Sequence, residues 1–287
     1  MKKDFLAELT VASRQRAKRL AKEFDKFQAL IGESVAAPGL RLSTDGFDLI
    51  AEYKLRSPTL GKLARATGDM DRQLSAYAKG GAAMISVLTE PDHFDGSMLH
   101  LSAAARLMTQ ADIPVMRKDF LVDPLQLYEA RAAGAAGVLL IIRILDDPAL
   151  ENMLDCAAEL GLFVLAEAFD RSDLNRLAEV TATRENQQIL AGVNCRDLST
   201  LGLRPERFFE LAPFLPPRLP AVAESGIGNS ADLSSLADAG YRLALIGGAL
   251  MKHARPADFL SACLAAGRKR PAGMAGGGWN VDQDLRD

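Results

Sequence analysis

The sequence predicts a (β/α)8 barrel that is preceded by a helical extension. Between residues 47 and 265, eight short apolar segments alternate with helical patterns. The segments are apolar at nearly every position, which is typical of parallel strands covered on both faces. The first segment is followed by Leu55-Arg-Ser-Pro-Thr-Leu-Gly61 and not by the glycine-rich turn of a doubly wound dinucleotide-binding fold. Eight units without that turn favour a closed barrel.

The strands and helices can be assigned in order along the chain. The helices carry an N-cap residue or a proline in their first turn, and several end at a glycine. These signals are Asp123-Pro124 before a helix over 125–133, Asp147-Pro148 with Gly161, Ser230 with Gly240, and Pro256. The predicted strands cover residues 49–53, 83–88, 113–116, 138–142, 163–166, 189–193, 221–223 and 243–246.

Three parts of the chain differ in composition. Residues 1–46 form an extension, with an amphipathic helix over 4–31 and a connector rich in glycine, proline and serine over 32–46. An apolar stripe of this kind more often packs on its own domain than on a partner or a membrane. Residues 47–265 form the predicted barrel. Residues 266–287 contain Gly276-Gly-Gly278 and Trp279, and we expect this tail to be disordered.

Composition excludes several classes of function. The net charge of −3 over 287 residues, without a long basic run, argues against a nucleic-acid partner. Three cysteines and three histidines are scattered, so we expect reduced thiols and no metal. The N-terminus lacks the apolar core of a signal peptide, and no apolar run reaches the ~20 residues needed to span a bilayer. The sequence therefore predicts a cytoplasmic protein without a membrane partner.

Polar side chains stand at the carboxyl ends of the predicted strands, which in a barrel meet at one mouth. Residues two apart on a strand share a face, so the pairs point the same way. One such charge alone is as often a salt bridge at the rim, but their joint occurrence favours an active site. The residues are Glu52 and Lys54, Lys118 and Phe120, Glu167, Asn194 and Arg196, Glu224 with Ser225-Gly226, and Gly247-Gly248.

The glycines after the seventh and eighth strands predict a phosphate site. Barrels commonly bind phosphate there through backbone N–H groups. Gly247-Gly-Ala-Leu-Met251 suits a short helix, and the loop over residues 56–62 carries hydroxyls and cations. We expect that loop to close over the same anion.

Six stretches of the sequence follow one another in the order known from one enzyme family. They are Ile50-Ala-Glu-Tyr-Lys-Leu-Arg-Ser-Pro58, Ile85-Ser-Val-Leu-Thr89 with Phe94-Asp-Gly-Ser97, Arg117-Lys-Asp-Phe120 with Asp123-Pro124, Gly192-Val-Asn-Cys-Arg-Asp-Leu198, Ala223-Glu-Ser-Gly-Ile227 and Leu245-Ile-Gly-Gly-Ala-Leu-Met251. Together they resemble the indole-3-glycerol phosphate synthase family of tryptophan biosynthesis. Each stretch alone is weak, but six in register are highly specific.

The resemblance implies a role for each residue at the mouth. Lys118 would be the general acid and Glu167 the general base, with Glu52 and Lys54 assisting. The implied substrate-binding residues are Ser57, Ser225, Gly226, Gly247 and Gly248 at the phosphate, Asn194 at the sugar hydroxyls, Arg196 at the anthranilate carboxylate, Phe120 with Leu88 and Leu139 at the aromatic ring, and Glu224. The family usually has a serine where this chain has Gly248, so one hydroxyl to the phosphate is missing.

The implied reaction closes a ring on 1-(2-carboxyphenylamino)-1-deoxyribulose 5-phosphate, with loss of carbon dioxide and water. The iminium formed beside the departing carboxylate is its own electron sink, so we expect no cofactor. A phosphorylated small molecule is thus the expected partner. The chain would act as a monomer or in association with other tryptophan-pathway enzymes.

Three alternatives bear on this interpretation. Phosphoribosylanthranilate isomerase shares the phosphate loops but normally has a cysteine after the first strand and an aspartate after the sixth, where this chain has Glu52/Lys54 and Asn194. A paralogue acting on a substituted anthranilate is not excluded. A silent barrel subunit is disfavoured by the intact Lys118 and Glu167.

Overall fold

The computed structural model describes residues 5–44, 46–63, 70–197 and 200–268. Eight parallel strands close into a barrel in chain order, with the last strand paired to the first, which confirms the predicted fold class. The strands are β1 Asp48–Tyr53, β2 Met84–Leu88, β3 Val115–Lys118, β4 Gly137–Ile141, β5 Phe163–Ala168, β6 Ile189–Asn194, β7 Ala221–Glu224 and β8 Leu243–Ile246.

Helices surround the strands and also form the N-terminal extension. A two-stranded hairpin, Arg56–Ser57 with Gly61–Lys62, follows β1. Short 3-10 helices cover Ala21–Glu23, Ile142–Ile144 and Ala212–Phe214. The α-helices are α1 Phe5–Leu20, α2 Phe24–Glu33, α3 Met70–Lys79, α4 Pro91–Phe94, α5 Met98–Thr109, α6 Pro124–Ala132, α7 Asp147–Glu159, α8 Arg171–Thr181, α9 Glu206–Leu211, α10 Ala231–Asp238, α11 Gly248–Lys252 and α12 Pro256–Arg268.

Two of the four predicted helix starts, at Asp123 and Pro256, are as expected, and the other two differ. Asp123 caps α6 in a capping box with Gln126, as expected. The cap of α7 is Asp146, one residue earlier than predicted, because its side chain reaches the backbone N–H of Ala149. Ser230 makes no side-chain cap bond to α10; instead, Asn229 accepts a hydrogen bond from the N–H of Asp232 at 3.1 Å.

The third strand lies two residues further along the chain than the sequence predicts. The prediction was 113–116, whereas β3 covers Val115–Lys118. The N–H of Ile113 is bound to the carbonyl of Met108 at the end of α5, and Pro114 has no N–H to offer to a ladder. Strand pairing therefore starts at Val115, and Lys118 is held by the sheet itself.

The N-terminal extension packs on the outside of the barrel. Its long predicted helix is divided by the 3-10 turn Ala21–Glu23 into α1 and α2, and both helices contact α6. The tighter turn changes the direction of the apolar stripe, so that Phe24 meets the ring of Tyr128 edge-on at 4.9 Å. The extension is thus an integral part of the packed chain.

The last helix connects the end of the described chain to the base of the barrel. Arg268 donates hydrogen bonds to the carbonyl of Phe47 at 2.9 Å and to Asp48 at 3.1 Å. The expected disordered tail, residues 266–287, lies outside the described residues from 269 onward. Among the described residues, no helix has the length and apolar character that crossing a membrane requires.

Candidate active site

Four of the candidate residues belong to one set of inward-facing positions. Along β1, β3, β5 and β7, side chains alternate between the barrel interior and the helix layer. The apolar interior positions are Ile50, Met116, Leu165 and Val222. The next interior positions toward the mouth are Glu52, Lys118, Glu167 and Glu224. The mouth is therefore floored by three carboxyl groups and one ammonium group.

Two ion pairs organise this floor. The Nζ of Lys118 lies 3.4 Å from Oε2 of Glu167, across the barrel between β3 and β5. The Nζ of Lys54 pairs with Oε2 of Glu52. Both glutamates are almost fully buried, whereas the two lysines keep a small exposed fraction. Each ammonium group thus faces the cavity while its carboxylate partner lies beneath it.

Glu224 differs from the other two carboxyl groups. Both of its oxygens are buried, and neither accepts a hydrogen bond from a donor in the described part of the chain. Burial raises the pKa of Glu224 well above its ordinary value, and the charge of Glu167 and a hydrogen bond with it act in the same direction against the attraction of Lys118. The protonated form of Glu224 leaves two carboxylates and two ammonium groups, whose charges balance.

Lys118 is held as a cation. Burial alone favours the neutral amine, but the carboxyl groups of Glu167, Glu224 and Glu52 outweigh that effect and raise the pKa of Lys118 above its ordinary value. A proton and a positive charge are therefore available at the centre of the mouth throughout the neutral pH range.

Behind β3, on the helix side, lies a second polar cluster, in which Thr89, Arg117 and Asp119 are buried and Arg16 and Glu129 are partly exposed. Asp119 accepts hydrogen bonds at Oδ1 from Arg16 (2.7 Å) and from the N–H of Phe120 (2.8 Å). At Oδ2 it accepts from Thr89 (2.8 Å) and Arg117 (3.2 Å). Arg117 also donates to Glu129 at 2.7 Å. These contacts fix both neighbours of Lys118, and one of them comes from the N-terminal extension.

Above the ionisable floor lies a cavity of about 320 Å³. One side of it is apolar, as predicted: Phe120 stands there with Leu88 and Leu139. Three further apolar residues line the same side, which the sequence reasoning missed: Phe5, Phe94 and Ile141. The rings of Phe94 and Phe120 are 6.3 Å apart. This slot has the chemical character that a flat aromatic ring requires.

The opposite side of the cavity is formed by the loops after β1, β7 and β8. The predicted residues Ser57, Ser225, Gly226, Gly247 and Gly248 all line it. Ser225 and Gly226 both have φ of +71°, which is the left-handed region. The sequence reasoning missed Lys252 and Leu60 on this side; Leu60 approaches so closely that a Cβ at Gly248 would lie 3.0 Å from its Cδ1.

The end of β6 presents its polar residues as the alternation predicts. Asn194 and Arg196 both line the cavity. Asn194 accepts a hydrogen bond at Oδ1 from the N–H of Arg196 at 2.9 Å, and the Arg196 guanidinium donates to the carbonyl of Leu201 at 2.8 Å. Cys195 between them is buried, and its Sγ lies 3.4 Å from the carbonyl oxygen of Ser225, behind the loop. It faces away from the mouth, because it is one residue out of phase with Asn194 and Arg196.

The residues that sequence reasoning missed come mainly from distant parts of the chain. Phe5 reaches the mouth from the start of α1, and no local pattern indicates that contact. Leu201 and Leu203 belong to the loop after β6, and they carry no motif. Within the described residues, no group of three or more His, Cys, Asp or Glu side chains could hold a metal ion.

Comparisons with known proteins agree with this geometry. The family model described as indole-3-glycerol phosphate synthase matches residues 7–262. An indole-3-glycerol phosphate synthase from Rhodococcus jostii is 39% identical over 246 residues, covering 84% of this chain and 88% of the relative. One from a Nocardioides species is 43% identical over 211 residues, or 74% and 77% of the two chains. A solved 3-hexulose-6-phosphate synthase, 18% identical, superposes with a TM-score of 0.58 over 77% of this chain and 99% of its own, which indicates a shared fold alone.

Proposed function

The chain belongs to the indole-3-glycerol phosphate synthase family, and we propose that its mouth carries out the ring closure of that family's reaction. The substrate is 1-(2-carboxyphenylamino)-1-deoxyribulose 5-phosphate, and the products are indole-3-glycerol phosphate, carbon dioxide and water. The observation that carries the proposal is the Lys118–Glu167 pair on the floor of a cavity with an apolar slot on one side and glycine-rich loops on the other.

The two sides of the cavity suit the two ends of the substrate. The aromatic ring enters the slot around Phe120, where burial of apolar surface stabilises it. The phosphate lies at the opposite side, against the backbone N–H groups around Gly226 and Gly248 and the hydroxyls of Ser57 and Ser225. Lys54 and Arg196 lie between these ends and attract the carboxylate of the ring. The substrate is thereby stretched across the ionisable floor.

Lys118 promotes the first step, in which a new carbon–carbon bond forms. The ring carbon that bears the carboxylate attacks the C2 carbonyl carbon of the ribulose chain. Negative charge develops on the carbonyl oxygen, and the Lys118 ammonium group stabilises it and donates the proton. Preorganisation by Glu167 and by the buried cluster behind β3 keeps the cation in place.

The carboxylate then leaves as carbon dioxide, and its bonding electrons restore the aromatic ring. In the last step the former carbonyl oxygen, now a hydroxyl, leaves as water and a proton leaves C1. This step needs an acid at the oxygen and a base at the carbon. Glu167 is the base, and the Glu52–Lys54 pair assists the departure of water. Glu224 lies beside Glu167 on the floor of the cavity, and its carboxyl group carries a proton there.

We also propose that the protein works in the cytoplasm, since Cys156, Cys195 and Cys263 are free thiols.

Incubating the protein with the carboxyphenylamino-deoxyribulose phosphate tests the proposal directly. The account predicts the appearance of indole fluorescence, lost in Lys118→Ala and retained in Lys79→Ala, a matched variant at an exposed lysine of α3. No fluorescence with wild-type protein would contradict the proposal. Fluorescence only with a ring-substituted substrate would assign the chain to a paralogue.

A further inference from the structure

Two glycines face the ionisable floor of the barrel from the neighbouring strands. Gly192 lies in β6 between the inward-facing Leu190 and Asn194, and it is in register with Glu167 of β5. Gly247 follows β8 two residues after the inward-facing Leu245. Both glycines therefore occupy positions where a side chain would point into the barrel.

A side chain at either position would collide with a carboxyl group of the floor. A Cβ on Gly192 would overlap Oε1 of Glu224 and lie 3.1 Å from Cδ1 of Leu165. A Cβ on Gly247 would overlap Oε2 of Glu52 and lie 2.9 Å from the Nζ of Lys54. The missing side chains thus provide the volume in which these two carboxyl groups lie.

Backbone conformation does not require glycine at position 192, because Gly192 is part of a regular strand and is absent from the residues with positive φ. Gly247 has φ of −122° and ψ of −73°, outside the helical and extended regions, so its backbone conformation also favours glycine. Gly226, with φ of +71°, is different, because its backbone lies in the left-handed region. Space for the Glu224 carboxyl group is therefore the reason for glycine at 192, whereas at 247 space for Glu52 acts together with the backbone conformation.

We propose that Gly192 and Gly247 are positioning residues, which set the locations of Glu224 and Glu52 in the catalytic floor. The proposal rests on the function proposed above. The atoms that a new methyl group would displace are the far ends of flexible side chains. Alanine at either position therefore leaves the fold intact and moves the carboxyl group. A displacement of about 1 Å in a catalytic group can lower turnover ~10²-fold.

The test compares kcat and KM of Gly192→Ala and Gly247→Ala with those of the wild type. We expect kcat to fall ~10-fold or more in both variants. KM should change less than kcat, since the two carboxyl groups belong to the ionisable floor and the phosphate is held mainly by backbone N–H groups. Gly137→Ala is the matched control: its Cβ would collide with the ring of Phe163 near the base of the barrel, so it should lower stability and leave the kcat of the folded enzyme unchanged.

Combining each glycine variant with loss of its glutamate separates positioning from general damage. Once Glu224→Ala has removed the carboxyl group, Gly192→Ala should lower kcat little further; the same holds for Gly247→Ala in Glu52→Ala. Equal fold losses in both backgrounds would overturn the proposal. So would crystal structures of the alanine variants with Glu224 and Glu52 unmoved, a result that needs no turnover. Absence of turnover in the wild type would instead contradict the proposed function.

Discussion

Two polar clusters lie on opposite sides of β3, and they are built in opposite ways. The rear cluster, on the helix side, consists of Arg16, Thr89, Arg117, Asp119 and Glu129. There Asp119 accepts four hydrogen bonds, two at each oxygen. The mouth cluster consists of Glu52, Lys54, Lys118, Glu167 and Glu224. There Lys118 and Glu167 are 3.4 Å apart, and Glu224 accepts no hydrogen bond from a described donor.

The difference between the clusters indicates a division of labour. A buried carboxylate that accepts hydrogen bonds at both oxygens is held in one arrangement, so Asp119 and its partners fix the position of β3. The carboxyl groups of the mouth cluster receive fewer hydrogen bonds from the protein, which the cluster tolerates because its groups serve the substrate. Alternation along the strand separates the two roles: Arg117 and Asp119 face the helices, and Lys118 faces the mouth.

The largest expected effect is on the mouth side. Lys118→Ala removes the cation that acts on the C2 oxygen, and we expect kcat/KM to fall by at least ~10²-fold. The circular dichroism spectrum and the free energy of unfolding should stay close to those of the wild type, because Lys118 lies outside the rear cluster. Turnover near the wild-type rate would show that Lys118 takes no part in the mechanism, and it would contradict the catalytic role given to the mouth cluster.

The next effect concerns substrate binding, in the loop after β7 that lines the phosphate side of the mouth. Gly226→Val combines a branched side chain with φ of +71°, and its Cβ would lie 2.8 Å from Sγ of Cys195. We expect KM to rise at least ~10-fold, because the loop must move away from the phosphate. A variant that binds substrate normally would show that the phosphate lies elsewhere.

The pH dependence of stability sharpens the comparison, because Glu224 is the mouth carboxyl group with a raised pKa. The pKa of Glu224 is higher in the folded state than in the unfolded state, so its protonated form stabilises the fold. This contribution to stability is complete below the unfolded pKa, near 4.5, and is lost as pH rises through the folded pKa. Glu224→Gln cannot ionise at this position, so its stability should not fall in this way as pH rises. Urea unfolding at pH 5 and pH 8 should show that the variant gains stability relative to the wild type at the higher pH. The same difference in free energy of unfolding at both pH values would contradict the raised pKa.

The smallest effect is expected at Cys195. Burial raises the pKa of its thiol to about 11, and the side chain faces away from the mouth. Cys195→Ser should therefore leave kcat and KM within about twofold of the wild-type values, because the thiol takes no part in the chemistry. A loss of kcat approaching that of Lys118→Ala would contradict this prediction and would make Cys195 part of the mouth cluster.

The mouth cluster could be predicted from the sequence because each of its residues is placed by its position within its own strand. The alternation of side chains along each strand and the barrel rule for strand ends place Glu52, Lys118 and Glu167 together without any knowledge of distances. The helix starts were recognisable for the same reason. Among the strands β3 was displaced most, because Pro114 and the end of α5 delayed the start of pairing.

The rear cluster could not be predicted, because its contacts join distant parts of the chain. Arg16 and Asp119 are 103 positions apart, and no periodicity connects them. Phe5 reaches the slot from the extension in the same way. The contact between Gly247 and Glu52 could not be predicted either. The sequence indicated only that Gly247 belongs to a phosphate loop, and the structure shows that Glu52 lies against this glycine.

The most direct test of the division of labour is a paired measurement on Asp119→Ala and Lys118→Ala. Loss of Asp119 leaves two arginines with one buried carboxylate partner fewer, so we expect the free energy of unfolding to fall by ~3–5 kcal/mol. The kcat of the folded Asp119→Ala protein should fall less than ~10-fold, whereas Lys118→Ala should show the reverse pattern. Asp119→Ala with unchanged stability and a ~10²-fold lower kcat would contradict the account.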